Sequence, residues 1–311
     1  MLLTVKLQSL TFISDNLLYL VVLAAVFSLA FPGPGARLQP LVTPVLALMV
    51  WCMSMTIRFE DLKSSIRRPV LIAASLFLGF VPMPLLGLAL GNIFFTPGGN
   101  LATGQLLLAS LPADVAAPFM VYLACGDTAL ATAILTASVA ITPLVLPLLL
   151  TSLGHVRVLI PMSYLMSELF IIIAVPVILG VFLNNRYTGL RRYEPVYAAL
   201  SSLSYLVLLV IVLSVNAPGI KNLESHAWRI LLAALALNAA GYLLALTSLL
   251  LTRKRGELIS FLFITSTREF GIATAAAAVM GLPGEMTIPA VFYAVVQMLT
   301  SPLVAKLLRR L

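Results

Sequence analysis

The chain alternates long apolar runs with short polar stretches, and the length of the runs is the first signal. A helix that crosses a bilayer needs about 20 mostly apolar residues. Such runs lie near 16–33, 38–57, 69–92, 101–124 and 129–151, and again near 160–183, 196–216, 229–251, 257–281 and 287–308. They predict ten transmembrane helices in an all-α membrane protein. Several runs carry internal prolines: Pro82 and Pro84, Pro112 and Pro118, Pro143 and Pro147, Pro176, and Pro289. Most of these predict ordinary kinks, because a membrane helix tolerates proline when neighbours satisfy the freed backbone groups.

Two runs are interrupted more deeply. Leu107–Ala131, LLASLPADVAAPFMVYLACGDTALA, holds Pro112, Asp114 and Pro118 where a continuous helix would run. Ile264–Ala277, ITSTREFGIATAAA, places Arg268 and Glu269 among Thr265, Ser266 and Thr267. Freed backbone groups and charges survive at membrane depth only against protein or a water-filled cavity. They occupy corresponding places in the two halves, the fourth and ninth runs. Such a pair points to the binding site of a secondary transporter.

Ten runs divide five and five, about 16–151 and about 160–308, within one transport unit spanning 1–311. An odd number per half makes the second half enter from the opposite side, which predicts two inverted five-helix repeats. The composition agrees with a polytopic membrane protein: 61% hydrophobic and 10% charged, against roughly 25% charged in soluble domains. The net charge of +8 does not imply nucleic acid, because the basic residues sit at the ends of the runs. Of 19 Lys and Arg, fourteen fall on one side if there are ten helices: Lys6, Arg58, Lys63, Arg67, Arg68, Arg186, Arg191, Arg192, Arg253, Lys254, Arg255, Lys306, Arg309 and Arg310. Four fall on the other (Arg37, Arg157, Lys221, Arg229), and Arg268 lies inside a run. The positive-inside bias predicts cytoplasmic termini and, for a bacterial cell, the inner membrane. Cys52 and Cys125 form no metal-binding spacing and read as packing residues.

The runs MSMTIRFEDLKSSIRRP (Met53–Pro69) and MVYLACGDTALA (Met120–Ala131) resemble the bile acid:sodium symporter family, and the order of ten helices is similar too. The resemblance implies a panel domain and a core domain, helices four and nine that unwind and cross in the core, and alternating access. The family's usual sodium ligands do not carry over. Its Ser-Asn pair in the fourth helix falls on Ala117 and Pro118. Its Glu and Gln in the ninth fall on Ile264 and Arg268, and its third-helix glutamine falls near Gly79 or Phe80. Sodium requires oxygen ligands, and these side chains supply none. Two-sodium coupling is not expected.

Arg268 stays charged and presents a planar fork of donors. Its guanidinium is expected to take the electrostatic place of the missing ion, through Asp114, Glu269 or freed carbonyls, or to grip a substrate carboxylate. The competing reading is a purely structural intramembrane pair. Asp114 and Glu269 are candidate proton carriers. Alternatively, Asp114 caps the half-helix beginning at Val115, and Glu269 points toward water. Thr132 and Thr136 share a helix face and, with Thr265, Ser266 and Thr267, are candidate hydroxyl linings of the cavity. Glu168 is a weaker candidate. Asp127 is expected to cap the fifth helix, and Gln297 and Asn238 to bridge neighbouring helices.

These features predict a secondary transporter of a small organic anion or related metabolite, in contact with the lipid bilayer, with no cofactor and no metal site. The coupling ion is left open between proton and, less favoured, sodium. No Ser-His-Asp set, metal spacing or phosphate loop suggests an enzyme. Two related readings are a sodium symporter using other ligands and an arsenite or oxyanion efflux carrier of the same superfamily. The efflux branch is usually marked by a thiolate within the broken fourth helix, whereas Cys125 follows the break. A membrane sensor that kept the fold is the reading from a different class.

Overall fold

The structure, a computed structural model, describes residues 17–56, 58–60, 63, 68–154, 167, 170–222 and 227–310. The principal elements are α1 (Leu17–Ala30), α2 (Val42–Ser54), α3 (Pro69–Phe80), α4 (Pro82–Phe94), α5 (Asn100–Ala109), α6 (Ala117–Leu123) and α7 (Thr128–Leu153). They continue with α8 (Val175–Arg186), α9 (Glu194–Asn222), α10 (Ala227–Ala245), α11 (Arg255–Ser266), α12 (Phe270–Val279) and α13 (Ile288–Arg310). Among the described residues there is no strand.

Five stretches are long and apolar enough to cross a membrane: Pro69–Phe94, Thr128–Leu153, Thr188–Val215, Ala227–Leu250 and Gly284–Arg310. The remaining predicted runs differ for two reasons. Those near 101–124 and 257–281 are each split into two shorter helices, α5 with α6 and α11 with α12. Those near 16–33, 38–57 and 160–183 appear as the shorter α1, α2 and α8, next to residues that are not described. Pro82 starts α4 and breaks it from α3, since it offers no N–H to the preceding turn. By contrast, α7 runs unbroken through Pro143 and Pro147.

Long helices expose large apolar side chains on their outer faces: Phe77 and Ile93 on α3 and α4, Leu144 and Leu148 on α7, Leu243 on α10, Leu303 and Leu307 on α13. Rows of this kind are poorly suited to water and match hydrocarbon. Inside, α9 packs along α1 and α2, and α8 lies against α2. A second group gathers α10, α11 and α13 with α4, α5, α6 and α7. The two groups touch where α7 meets the Phe170–Ala174 turn leading into α8, where α12 meets α2, and where α9 meets α12 and α13.

The polar ends follow the same division. At one end, Arg58 pairs with Glu194 at 3.6 Å and Arg191 with Glu60 at 3.6 Å, tying the first group. At that end of the second group, Arg68 bonds Asp127 and also reaches Glu257 at 3.3 Å. This draws together the starts of α3, α7 and α11. Asn100 donates to Glu285 at 2.9 Å, joining the start of α5 to the turn before α13.

Candidate functional site

The first break covers Leu111–Ala116 and the second covers Thr267–Glu269. Pro112 falls within the first. Pro118 does not break anything: it sits in the first turn of α6, where a helix needs no proline N–H. The two breaks meet directly, because the backbone N–H of Glu269 donates to the carbonyl of Pro112 at 3.0 Å. Each interrupted segment thus supplies a partner that the other lost with its helix.

Helix ends leave backbone donors and acceptors without intrahelical partners. Here side chains meet them. Asp114 accepts the N–H of Ala116 at 2.8 Å. Glu269 accepts Val115 N–H at 3.2 Å across the breaks and Gly271 N–H at 3.2 Å in its own chain. Glu269 therefore caps the start of α12, where the dipole favours negative charge, whereas Asp114 closes a turn ahead of α6, which begins at Ala117 rather than Val115 and has no side-chain cap. On the acceptor side, the Ser266 carbonyl takes the hydroxyl of Tyr293 at 2.6 Å and the amide of Asn238 at 2.9 Å. Gly241 lets α10 come this close, as a Cβ there would stand 2.8 Å from the Cα of Ser266.

Gln297 on α13 joins both breaks. Its carbonyl oxygen accepts the N–H of Arg268 at 2.8 Å, and its amide donates to the Arg268 carbonyl at 3.0 Å and to the Asp114 carboxyl. The expectation that Gln297 and Asn238 bridge helices agrees with this geometry. The convergence of three bonds on Gln297 had no signal beyond an amide in an apolar helix.

Arg268 corrects one expectation. It is buried, but among the described residues it forms no ion pair with Asp114 or Glu269. Gln297 already holds the Arg268 backbone and Asp114. Thr267, at the end of α11, is extended, at φ −115 and ψ 149. The guanidinium instead lies beside a small space of about 10 Å³ bounded by Ser75, Gly79, Phe80, Pro112, Ser138 and Ile264. Its nearest acceptor there is the Gly79 carbonyl, at 3.5 Å, and its Nε has no partner among the described residues. Gly79 packs against it: a Cβ there would stand 3.8 Å from Nη1, an ordinary contact.

A second space, of about 20 Å³, lies between α2 and α8 of one group and α7 and α12 of the other. Glu269, Val115, Thr136 and Ser54 border it. Of the predicted hydroxyls, only Thr136 lines this space. Its hydroxyl donates to the carbonyl of Thr132 at 2.8 Å. Ser266 and Thr267 donate back to Leu262 and Phe263 within α11, at 2.6 and 2.8 Å. Thr265 is buried with no hydroxyl partner among the described residues. None of these three borders the space beside Glu269. Asp127 caps α7 as expected, accepting Leu130 N–H at 3.0 Å. Just outside the spans, its hydrogen bond is the foremost factor raising the pKa of Arg68. Glu168, His155 and His226 lie outside the described residues.

Comparison with known proteins agrees with this architecture. The family described as "Sodium Bile acid symporter family" matches residues 43–223, more than half of the chain. The Bacillus subtilis (strain 168) protein named "Uncharacterized protein YbaS" is 24% identical over 270 residues, covering 86% of this chain and 88% of the relative. From the same organism, "Uncharacterized sodium-dependent transporter YocS" is 25% identical over 224 residues, covering 72% and 69%. The Oryza sativa subsp. japonica "Probable sodium/metabolite cotransporter BASS1, chloroplastic" is 28% identical over 192 residues, covering 61% and 46%. With its apolar helices, its two broken segments and a family match over most of its first half and into its second, the chain belongs to the sodium bile acid symporter family of multi-pass membrane transporters.

Proposed function

We propose that this transporter moves a small organic anion across the inner membrane by alternating access, without the family's usual two-sodium site. The observation that carries the reading is the junction of the two helix breaks, Glu269 N–H to Pro112 O, beside a cavity shared by two helix groups. The group of α1, α2, α8 and α9 acts as the panel, and the remaining helices act as the core. Ten spans form two inverted repeats, about 16–151 and 160–308, with both termini cytoplasmic. Separate ion-pair clusters at one end of each group support movement of one against the other.

Arg268 supplies the fixed positive charge of the core. It sits by Gly79; the resemblance puts one family glutamine at Arg268 itself and another near Gly79 or Phe80. A tethered cation there competes with a mobile one for the same space. Sodium coupling is the second reading, favoured by the names of YocS and BASS1. Uptake of labelled small carboxylates into proteoliposomes, under separately imposed sodium and proton gradients, tests the choice. Accumulation driven by a proton gradient in sodium-free buffer is expected. Accumulation that needs a sodium gradient at every pH would remove the fixed-cation reading.

A further inference from the structure

We propose that Glu269 loads an anionic substrate and a proton together, its protonated carboxyl being the donor that grips the substrate carboxylate. This rests on the organic-anion reading above and names its coupling and substrate class. In this conformation the space bordered by Glu269 is about 20 Å³, room for about one water, so a small carboxylate enters only as the two helix groups part. Its walls are mostly aliphatic, with Val50, Leu135, Val139, Val177 and Ile272. Three of the residues around it carry polar side chains: Ser54, Thr136 and Glu269.

None of these presents a donor while Glu269 is ionised. A hydroxyl has a single proton to donate. Ser54 gives its proton to the Val50 carbonyl at 2.7 Å, and Thr136 gives its own to Thr132 at 2.8 Å. Both therefore turn lone pairs to the cavity. The Val115 N–H is held by the Glu269 carboxyl. The nearby guanidinium faces Gly79 on the far side of the breaks. An ionised Glu269 would thus meet an incoming carboxylate with like charge and acceptors only.

Protonation reverses this. One oxygen of Glu269 keeps accepting from the backbone, and the other carries an O–H directed at the ligand. A monocarboxylate and one proton then enter as a neutral pair. On release, the proton leaves Glu269 for water, and the carboxylate regains both N–H bonds. Because the Glu269 backbone forms the bond to Pro112, loading occurs at the joint between the breaks. The other titratable groups around it are committed elsewhere. Asp114 is held by Ala116 and Gln297, Tyr293 by Ser266, and Arg268 lies by Gly79. From α2, α7 and α8 the cavity receives only apolar side chains and hydroxyls.

Calorimetric titration of purified protein with lactate, pyruvate and 2-hydroxyisovalerate, in buffers of different ionisation enthalpy, counts the protons taken up per ligand between pH 5 and 9. The wild type is expected to reach one proton per carboxylate at the alkaline end, with affinity falling about tenfold per pH unit there. Glu269→Gln, whose amide is a permanent donor, is expected to bind the same acids with no proton uptake and no pH dependence. The wild-type count decides even if the variant does not fold. Binding with no proton uptake throughout that range overturns the proposal and leaves the anion reading standing, as does persistent uptake in Glu269→Gln. If none of the acids binds while small amines do, the anion reading itself fails.

Discussion

Replacing Gln297 by leucine removes a side chain of similar size from the junction without opening a large cavity. The loss is almost wholly in hydrogen bonds. Arg268 N–H, the Arg268 carbonyl and the Asp114 carboxyl all lose the amide at once. A buried group left without its partner costs about 1–3 kcal/mol, more when charged. Three such groups in one place give a destabilisation of about 3–6 kcal/mol, allowing for relaxation and non-additivity. Gln105 is the internal control. It is as deeply buried, but it makes one bond, to the Ala233 carbonyl at 3.2 Å, and its own carbonyl oxygen has no partner among the described residues. Leucine there removes a poorly satisfied amide, so about 0–1 kcal/mol is expected. Reversible unfolding in mixed detergent–lipid micelles measures both. If Gln297→Leu costs no more than Gln105→Leu, Gln297 does not hold the breaks together.

Three further outcomes are expected. Gly79→Ala should keep most transport, because a methyl at 3.8 Å from Arg268 Nη1 is an ordinary contact, whereas Gly79→Leu should displace the guanidinium and lower initial uptake rates at least about tenfold. Asp127→Ala should cost about 1–2 kcal/mol more than Asp127→Asn in the same unfolding assay, since asparagine keeps the cap on Leu130 and loses only the charge toward Arg68. Cys125 holds φ 59 at the end of α6, with Gly126 N–H reaching Val121 O at 2.8 Å and Cys125 N–H reaching Tyr122 O at 3.0 Å. That is a helix stop usually made by glycine, so Cys125→Gly should raise stability by up to about 1 kcal/mol.

The places where helices fail were legible because backbone chemistry writes them into sequence. Pro112 removes a donor, and charge inside an apolar run demands a partner. The second break was marked by Arg268 and Glu269 alone, since neither proline nor glycine lies in Thr267–Glu269. What the sequence could not convey was direction. Arg268 and Glu269, adjacent in the chain, border two different spaces, and no periodicity describes three residues. Pro118 was misplaced for a related reason: proline breaks a helix from within but starts one from its first turn, and sequence alone does not say which turn it occupies. The hydroxyls of Thr265, Ser266 and Thr267 were counted as lining because they are polar, yet in a membrane helix the preceding carbonyl competes for each proton. For Ser266 and Thr267 that carbonyl prevails.

The opposed directions of Arg268 and Glu269 bear on how such a carrier couples. If the two side chains formed an ion pair, the centre would be neutral and sealed, and titration of either would be suppressed by the other. Separated by the crossing backbone, they do different work. The guanidinium is packed against α3 among residues of one helix group. The carboxyl borders the space between the two groups. In the alternating access proposed above, only the second position would change its surroundings, as α2 and α8 move relative to α7 and α12. A charge that must appear and disappear during a transport cycle belongs at that boundary, and one that must stay belongs behind it.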